Sequence, residues 1–196
     1  RTPFRVSFFG GGTDYPVWYE KNEGSVISAT INKYCFITAR YLPPFFNYKH
    51  RIRYYKHEET KTLEQIKHPS VRECAKFLNI KRGLEIVHNA DLPAQSGLGS
   101  SSTFTVGLLN TLYTLQNYMP TKRELALQAI TIEQKIIKES VGSQDQTAAA
   151  FGGLNIIFFN KERVIDVDPI IISKERLAKL QNNLMLRGLH LNQLLS

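Results

Sequence analysis

A glycine- and serine-rich loop at residues 93–102 has the residue types that bind phosphate groups. It reads PAQSGLGSSS, lies between a strand-like run and a strong helical pattern, and has no lysine after its glycines. Glycine lets the backbone approach a phosphate closely, and the free N–H groups at a helix N-terminus attract an anion. Serine hydroxyls can donate to phosphate oxygens or ligate Mg²⁺. The loop is therefore a candidate phosphate cradle outside the Walker A class, and the alternative is a flexible turn ahead of a helix.

The elements that would position this loop are predicted by hydrophobic periodicity. Apolar residues alternate in segments that predict strands at residues 1–9, 25–42, 50–57, 84–87 and 155–159. Helical spacing predicts helices over residues 70–78, 101–117 and 122–138, with a further turn at 147–151. Strands come first and helices follow, so the predicted fold class is α+β rather than a regular alternation.

The two ends of the chain have less regular patterns. Residues 177–186 could begin a strand, whereas residues 187–196 form a separate amphipathic pattern, which suggests a break or an omitted segment near residue 186. The chain begins with Arg1 rather than Met. We therefore expect that a few residues precede it and that no signal peptide is present.

Charge and composition narrow the classes of partner. The 196 residues carry a formal net charge of +8, which favours nucleotides, sugar phosphates, nucleic acid or membrane surfaces. No apolar run approaches the ~20 residues of a transmembrane helix, so no membrane partner is predicted. Neither the two cysteines, Cys35 and Cys74, nor the five histidines have metal-ligand spacing, so no structural metal is expected. Such cysteines are typical of reduced thiols, which predicts a cytoplasmic protein.

A basic and aromatic segment at residues 48–57 raises the alternative of a nucleic-acid-binding module. It interleaves lysine, arginine and histidine with tyrosine, as a single-strand-binding surface does. The other interpretation is a solvated strand pair with Ile52 and Tyr54 facing inward. Glu58 and Glu59 follow at once and dilute the basic patch. We therefore expect no nucleic-acid partner.

Three segments, in order along residues 1–159, resemble motifs of the GHMP kinases, the superfamily of galactokinase, homoserine, mevalonate and phosphomevalonate kinases. The run GLGSS at residues 97–101 resembles the second motif, and the opening RTPFRVSFFGGGTDY resembles the first. The run GSQDQ at residues 142–146, followed by Gly152 and Gly153, resembles the segment that carries the catalytic aspartate. The pairing of GGGTD with QDQ is most similar to the D-glycero-D-manno-heptose 7-phosphate kinases.

The resemblance implies a two-lobed α+β protein whose N-terminal lobe contains a left-handed βαβ crossover. Residues 1–165 would form the ATP-binding lobe, and residues 166–196 a partial second lobe or a remnant, because the family's C-terminal glycine-rich motif is absent. The implied reaction transfers phosphate from ATP, with Mg²⁺, to the anomeric hydroxyl of a heptose 7-phosphate, for surface polysaccharide synthesis. Another sugar such as fucose is the alternative substrate, and a homodimer is left open.

The resemblance also assigns catalytic and metal-binding roles. Asp145 would be the base, or the electrostatic positioner, for the acceptor hydroxyl. Arg5 would offset charge on the transferred phosphoryl group. Mg²⁺ would be ligated by Glu133 and Ser101, with Glu139 as the alternative to Glu133.

Substrate and nucleotide ligands follow from the first two motifs. The sugar would contact residues of the first motif, namely Gly11, Gly12, Thr13 and Asp14. Because Gly11 and Gly12 replace the Glu-His pair of galactokinase-like members, a plain galactose site is not expected. The triphosphate would be held by the loop, namely Pro93, Ser96, Gly97, Leu98, Gly99, Ser100, Ser101 and Ser102. Ordinary turn or capping chemistry is the other interpretation of Asp14 and Asp145.

Overall fold

One mixed sheet with helices packed against it forms the fold in residues 1–93, 96–162 and 164–185, which the computed structural model describes. Its strands are β1 (Thr2–Phe9), β2 (Gly24–Tyr41), β3 (His50–Arg53), β4 (His57–Thr60), β5 (Leu84–Ala90), β6 (Leu154–Phe159) and β7 (Ile165–Pro169). Along the sheet they run β4-β3-β5-β2-β6-β7, and β1 also pairs with β2. The α+β fold class predicted from the sequence is confirmed.

Where the apolar periodicity predicts helical residues, the structure has the second to fifth of its six described α-helices. They are α1 (Pro16–Asn22), α2 (Pro69–Phe77), α3 (Ser100–Leu115), α4 (Lys122–Ile130), α5 (Gln144–Phe151) and α6 (Lys174–Asn182), with a short 3₁₀ turn at Leu63–Gln65. The apolar face of α3 packs into the main core, where Leu108 and Leu112 are fully buried beside Phe4, Ile52 and Ile86. None of the described helices is long and apolar enough to cross a membrane.

The long strand β2 brings the ends of two other strands together. Cys35 of β2 pairs with Thr2 of β1 and also with Ala90 at the end of β5. The chain that leaves β5 therefore runs directly beside β1, where the backbone N–H of Arg5 donates to the carbonyl of Leu98 at 3.4 Å. This arrangement places the glycine- and serine-rich loop against the first strand.

One parallel strand pair, β3 with β5, is joined by a crossover that contains α2. The predicted βαβ unit corresponds to this strand pair and its crossover. The left-handed sense of the crossover stays a prediction. Strand β7 extends the same sheet by pairing with β6. The division of the chain at residue 165 likewise stays a prediction.

Three elements differ from the periodicity. The predicted helix over residues 122–138 is α-helical to Ile130 and then widens into a π-helix, Thr131–Ile137. The predicted strand at 50–57 is split into β3 and β4. The strand expected at 177–186 is wrong for residues 177–182, which lie in α6. Ser173 caps this helix by accepting from the N–H of Arg176. The expectations for residues 187–196, and for a break near residue 186, lie outside the described residues.

Candidate active site

An ion pair joins the two residues predicted to be catalytic. Nε of Arg5, on β1, donates to Oδ1 of Asp145 at 2.8 Å, and Nη2 donates to the same oxygen at 2.5 Å. Both side chains are mostly buried. Burial raises the pKa of Asp145, and the adjacent guanidinium of Arg5 opposes that rise. The site therefore contains a partly desolvated carboxylate whose charge is balanced by one arginine.

The glycine- and serine-rich loop touches this pair directly. Nη1 of Arg5 donates to the carbonyl of Gly97 at 3.0 Å. Gly99 has a φ of +75°, and a Cβ there would lie 3.1 Å from Oδ2 of Asp145, so both conformation and space favour glycine. Helix α3 begins at Ser100, which leaves the N–H groups of its first turn free for an anion. The loop, Arg5 and Asp145 thus form one continuous site.

The remaining loop residues divide into exposed and buried ones. Pro93, Ser96 and Ser101 are exposed, and Ser100 is partly buried. Ser102 is buried within α3. Exposed hydroxyls of this loop are available to a bound phosphate, whereas the Ser102 hydroxyl already has a protein partner.

That partner is Glu133, which is fully buried in the π-helix. Its Oε2 accepts from Oγ of Ser102 at 2.8 Å and from Nε2 of Gln146 at 2.5 Å. Its Oε1 has no hydrogen-bond partner among the described residues. Burial raises the pKa of this carboxyl. The predicted metal ligand therefore does lie beside the loop helix, but the serine that it contacts is Ser102, and its pairing with Ser101 stays a prediction.

The residues around Glu133 fit a magnesium ion. The unpartnered Oε1 is a hard oxygen donor, and the nearby loop adds serine hydroxyls, which match the all-oxygen preference of Mg²⁺. Glu139, the alternative ligand, is only partly buried, and its N–H donates to the carbonyl of Glu133. The buried carboxylate with a free oxygen is the better match for the metal.

The wider π turn also holds the chain that leads to Asp145. Nε2 of Gln134 donates to the carbonyls of Val141 and Gly142 and to Oγ of Ser143, at 3.0 to 3.2 Å. Turns of this type often occur at functional sites. Here the π turn fixes the loop immediately before α5, whose first turn carries Asp145.

Replacing Glu133 by glutamine should stabilise the metal-free protein at neutral pH. Because the folded-state pKa is raised, the folded protein binds this proton more tightly than the unfolded chain. Stability should therefore fall as pH rises from the ordinary value of 4.5 through the raised pKa. Glutamine keeps an acceptor for Ser102 and carries no charge. We expect the thermal midpoint of Glu133→Gln at pH 7 to exceed that of the wild type by at least about 2 °C.

Thermal unfolding between pH 4 and 8 in a chelating buffer measures this effect. The Glu133→Gln curve should lose the decline with pH that the wild type shows. Glu162→Gln, at an exposed position whose charge is not among the causes of the raised pKa of Glu133, serves as the control and should keep the wild-type slope. Parallel slopes for Glu133→Gln and the wild type would show that ionisation of Glu133 does not strain the fold.

Asp14 is buried and caps α5. Its Oδ2 accepts from the N–H of Gln144 at 3.0 Å, and its Oδ1 accepts from Nε2 of Gln144 at 3.1 Å and from the N–H of Gly12 at 3.2 Å. Thr13 is also occupied: its hydroxyl donates to the carbonyls of Gly10 and Ser25. These contacts join the first motif to the helix that carries Asp145. Direct contact of Asp14 with a substrate stays a prediction.

An open cleft of ≈ 490 Å³ lies between the first motif and the loop. It is lined by residues 5–11, Gly97, Leu98 and Gln144. The cleft therefore includes four of the predicted site residues, Arg5, Gly11, Gly97 and Leu98. Gln144 was not among the predicted site residues, although its position next to Asp145 in the run QDQ was a signal that could have pointed to it.

About half of the basic and aromatic segment is engaged within the protein, whereas Lys49 and residues 53 and 55–57 are exposed. His50 and Ile52 are each 1% exposed. Nη1 of Arg51 contacts Oε1 of Glu85 at 3.2 Å, and its guanidinium lies over the rings of Phe46 and Tyr48. Ile52 faces inward, as the strand interpretation predicted. These contacts favour that interpretation over a nucleic-acid-binding surface.

Comparison with known proteins gives one family and several relatives. The family model for the N-terminal domain of the GHMP kinases matches residues 67–153. The D-glycero-alpha-D-manno-heptose 7-phosphate kinase of Campylobacter jejuni is 31% identical over 191 residues, which cover 92% of this chain and 56% of that protein. A galactokinase of Chloroflexus aurantiacus is 29% identical, and the match covers 89% of this chain and 46% of that protein. The chain thus spans about half the length of the curated relatives that it matches.

A solved structure agrees with these matches. The crystal structure of a D-glycero-D-manno-heptose 1-phosphate kinase from Bacteroides thetaiotaomicron superposes with a TM-score of 0.82 at 26% identity. The superposition covers 91% of this chain and 61% of that one. The described residues therefore share the fold of the part of that protein that the superposition covers.

Proposed function

We propose, from the premise that residues 67–153 match the N-terminal domain of the GHMP kinases, that the chain is the ATP-binding part of a sugar kinase. The observation that carries the proposal is the contact of the Arg5–Asp145 pair with the glycine loop, through Gly97 and Gly99. Phosphoryl transfer depends mainly on positioning and on charge stabilisation. A carboxylate, a cation and a phosphate cradle in mutual contact supply both requirements.

On the donor side, the loop and the first turn of α3 hold the phosphates of ATP. The backbone N–H groups of Gly99 and Ser100 and the helix dipole of α3 favour the negative charge. Mg²⁺, when bound, neutralises charge that develops on the transferred phosphoryl group. Glu133 and Ser101 would hold it, and Arg5 adds a fixed positive charge at the edge of the cleft.

On the acceptor side, Asp145 orients the sugar hydroxyl and accepts its proton. Arg5 binds Oδ1, so Oδ2 remains beside Gly99 and the loop. A carboxylate whose pKa is raised by burial is a better proton acceptor than an ordinary aspartate. The cleft along β1 would accommodate the sugar, with Gly11 and Gly12 letting it approach the backbone and Asp14 holding α5 in place.

We further propose that the substrate is a phosphorylated heptose, with D-glycero-D-manno-heptose 7-phosphate converted to the 1,7-bisphosphate. The name of the Campylobacter jejuni relative supports this substrate. The name of the structural relative suggests the 1-phosphate instead, which would require a different acceptor hydroxyl. Fucose remains an alternative, and galactokinases are also among the relatives. The Gly11-Gly12 pair argues against a plain galactose site.

An ADP-release assay of the intact protein tests the proposal. The panel should include heptose 7-phosphate, heptose 1-phosphate, fucose, galactose and mannose 6-phosphate, each with ATP and Mg²⁺. Sugar-dependent ADP release that is greatest with heptose 7-phosphate is expected. Greatest turnover with another sugar would correct the substrate only. Turnover with none of these sugars, under conditions in which ATP binds, would count against a sugar kinase.

Replacing Ser101 by alanine should raise the Mg²⁺ requirement. The hydroxyl of Ser101 is exposed at the start of α3, where it can ligate a metal that also contacts the phosphates. We expect the Mg²⁺ concentration for half-maximal turnover to increase roughly tenfold, with a smaller effect on turnover at saturating Mg²⁺. A Mg²⁺ titration of ADP release at fixed ATP measures it.

Two further variants sharpen the magnesium experiment. Ser140→Ala, at an exposed serine outside the loop, should behave as the wild type. Ser102→Ala removes the hydrogen bond to Glu133. If Ser102→Ala shifts the titration and Ser101→Ala does not, the serine that serves the metal is the one that orients Glu133.

A further inference from the structure

One of the residues that line the cleft has a buried acceptor atom without a partner. Gln144, the first residue of α5, lines the cleft and is 9% exposed. Its Oε1 accepts no hydrogen bond from any of the described residues. Because an unpaired buried carbonyl oxygen costs folding free energy, native proteins usually provide such an atom with a protein, water or ligand donor.

Asp14 determines which end of the Gln144 amide is free. A carboxylate accepts hydrogen bonds and does not donate them. Asp14 takes the N–H of Gln144 on Oδ2 and the Nε2 of Gln144 on Oδ1. With its donor end held by a carboxylate, the side chain must turn its carbonyl end away. The free end of Gln144 is therefore an acceptor, and its ligand must bring a donor.

A second residue that lines the cleft also has a polar atom without a hydrogen-bond partner. Ser7 lines the cleft on β1, and its Oγ has no hydrogen-bond partner among the described residues. Ser7 lies two residues after Arg5, so the two side chains leave the strand on the same face. Two residues that line the same cleft as Arg5 therefore each have an unpartnered oxygen. The cleft volume of ≈ 490 Å³ is within the range of small-molecule sites.

We propose that Gln144 contacts the substrate, with its Oε1 accepting a hydrogen bond from a non-reacting hydroxyl of the sugar, and that Asp14 is a positioning residue that acts through Gln144. This inference rests on the proposed function, in which Asp145 orients the reacting hydroxyl and accepts its proton. A sugar that lacks the matching hydroxyl would leave Oε1 unpaired in the occupied cleft, so this contact selects against the corresponding deoxy sugar.

Sugar binding measured without turnover tests the inference. Titration calorimetry of the intact protein in the absence of ATP gives the Kd of heptose 7-phosphate, heptose 1-phosphate, fucose and galactose, and the tightest binder is carried forward. Gln144→Met removes the acceptor and nearly preserves the side-chain length. It should raise the Kd of that sugar roughly tenfold to a hundredfold.

The Asp14→Asn variant tests the positioning role. The amide of asparagine can donate to Gln144, which lets the Gln144 amide turn over and present its NH₂ end to the cleft. We expect a rise in Kd of similar size. The Asp14→Asn, Gln144→Met double variant should bind no more weakly than the weaker single variant, because both changes remove the same contact.

Two controls keep the test independent of misfolding. Gln128→Met, on α4 and outside the cleft, should leave the Kd unchanged. The wild-type protein should also bind one monodeoxy analogue of the same sugar at least about tenfold more weakly than the parent sugar. In Gln144→Met that difference should disappear.

Several results would overturn the inference. Equal Kd values for the wild type and Gln144→Met would mean that water, rather than sugar, pairs with Oε1, and absence of sugar binding by the wild type would also refute it. Additive losses in the double variant would mean that Asp14 contacts the sugar itself. Sugar that binds through Gln144 but is not phosphorylated would support this inference and refute the proposed function.

Discussion

Replacing Asp145 by asparagine should lower turnover by about a hundredfold to ten-thousandfold and leave the affinity for ATP almost unchanged. Asparagine cannot accept the proton of the sugar hydroxyl, and it leaves Arg5 without its anionic partner. The loop that holds ATP keeps its glycines and the N-terminus of α3. The loss should therefore appear in kcat rather than in ATP binding, which steady-state kinetics and a separate ATP titration would measure.

The pH dependence adds a second readout to this prediction. Asp145 must be ionised to act as a base, and burial raises its pKa above the ordinary 3.8. The wild-type turnover should therefore rise with pH through that raised pKa. The residual turnover of Asp145→Asn should not show this rise with pH. Asp166 lies on β7, with its Oδ1 3.8 Å from Nη1 of Arg123. The control variant Asp166→Asn should keep both the wild-type turnover and its rise with pH. If Asp145→Asn turns over at the wild-type rate, Asp145 is not the base.

The motifs were predictable from the sequence because their signals are local. Glycines at 97 and 99 have positive φ angles, which few other residues adopt without strain. The apolar spacing in α3 likewise indicates a helix packed against the core, and the structure buries its residues 102–109 on every side. These local signals predicted the loop, its helix and the α+β class. The contact of Arg5 with Asp145 was not encoded in any spacing, because the two residues are 140 positions apart.

Buried polar contacts account for most of what sequence analysis could not predict. Glu133 was proposed as a metal ligand by resemblance. Its hydrogen bonds to Ser102 and Gln146 join three different elements, namely the π turn, α3 and α5. The π turn that carries Glu133 follows α4 directly, and no glycine or proline in the sequence indicates the change. Periodicity extends a helix through such a segment, because one inserted residue changes the hydrogen bonds more than the apolar pattern.

Asp14 illustrates the limit of assigning a role from motif position. A carboxylate after three glycines suggested either a sugar ligand or a turn residue. The capping of α5 by Asp14 requires that Gln144, 130 residues later, lie against it. A single sequence does not contain that proximity, so the choice between contact with the sugar and positioning through Gln144 depends on tertiary structure.

Replacing Gly142 by alanine should disrupt the junction that supports Asp145. A Cβ at Gly142 would lie 1.8 Å from Oδ2 of Asp14 and 2.5 Å from its Cγ, so the carboxylate would have to leave the N-terminus of α5. Overpacking of this kind costs about 1–3 kcal/mol and occasionally more. For a domain of this size the thermal midpoint should fall by at least about 2 °C. Turnover should fall as well, because Asp145 lies in the first turn of α5.

Gly11→Ala is the matched control, since a Cβ at Gly11 would meet nothing within 4 Å and the residue does not have a positive φ. Thermal unfolding of both variants isolates the collision with Asp14 from the general cost of replacing a glycine. Gly11→Ala should keep the wild-type midpoint. Equal midpoints for the two variants would mean that Asp14 can leave α5 at little cost, and the carboxylate would then not be what holds Gln144 and Asp145 in place.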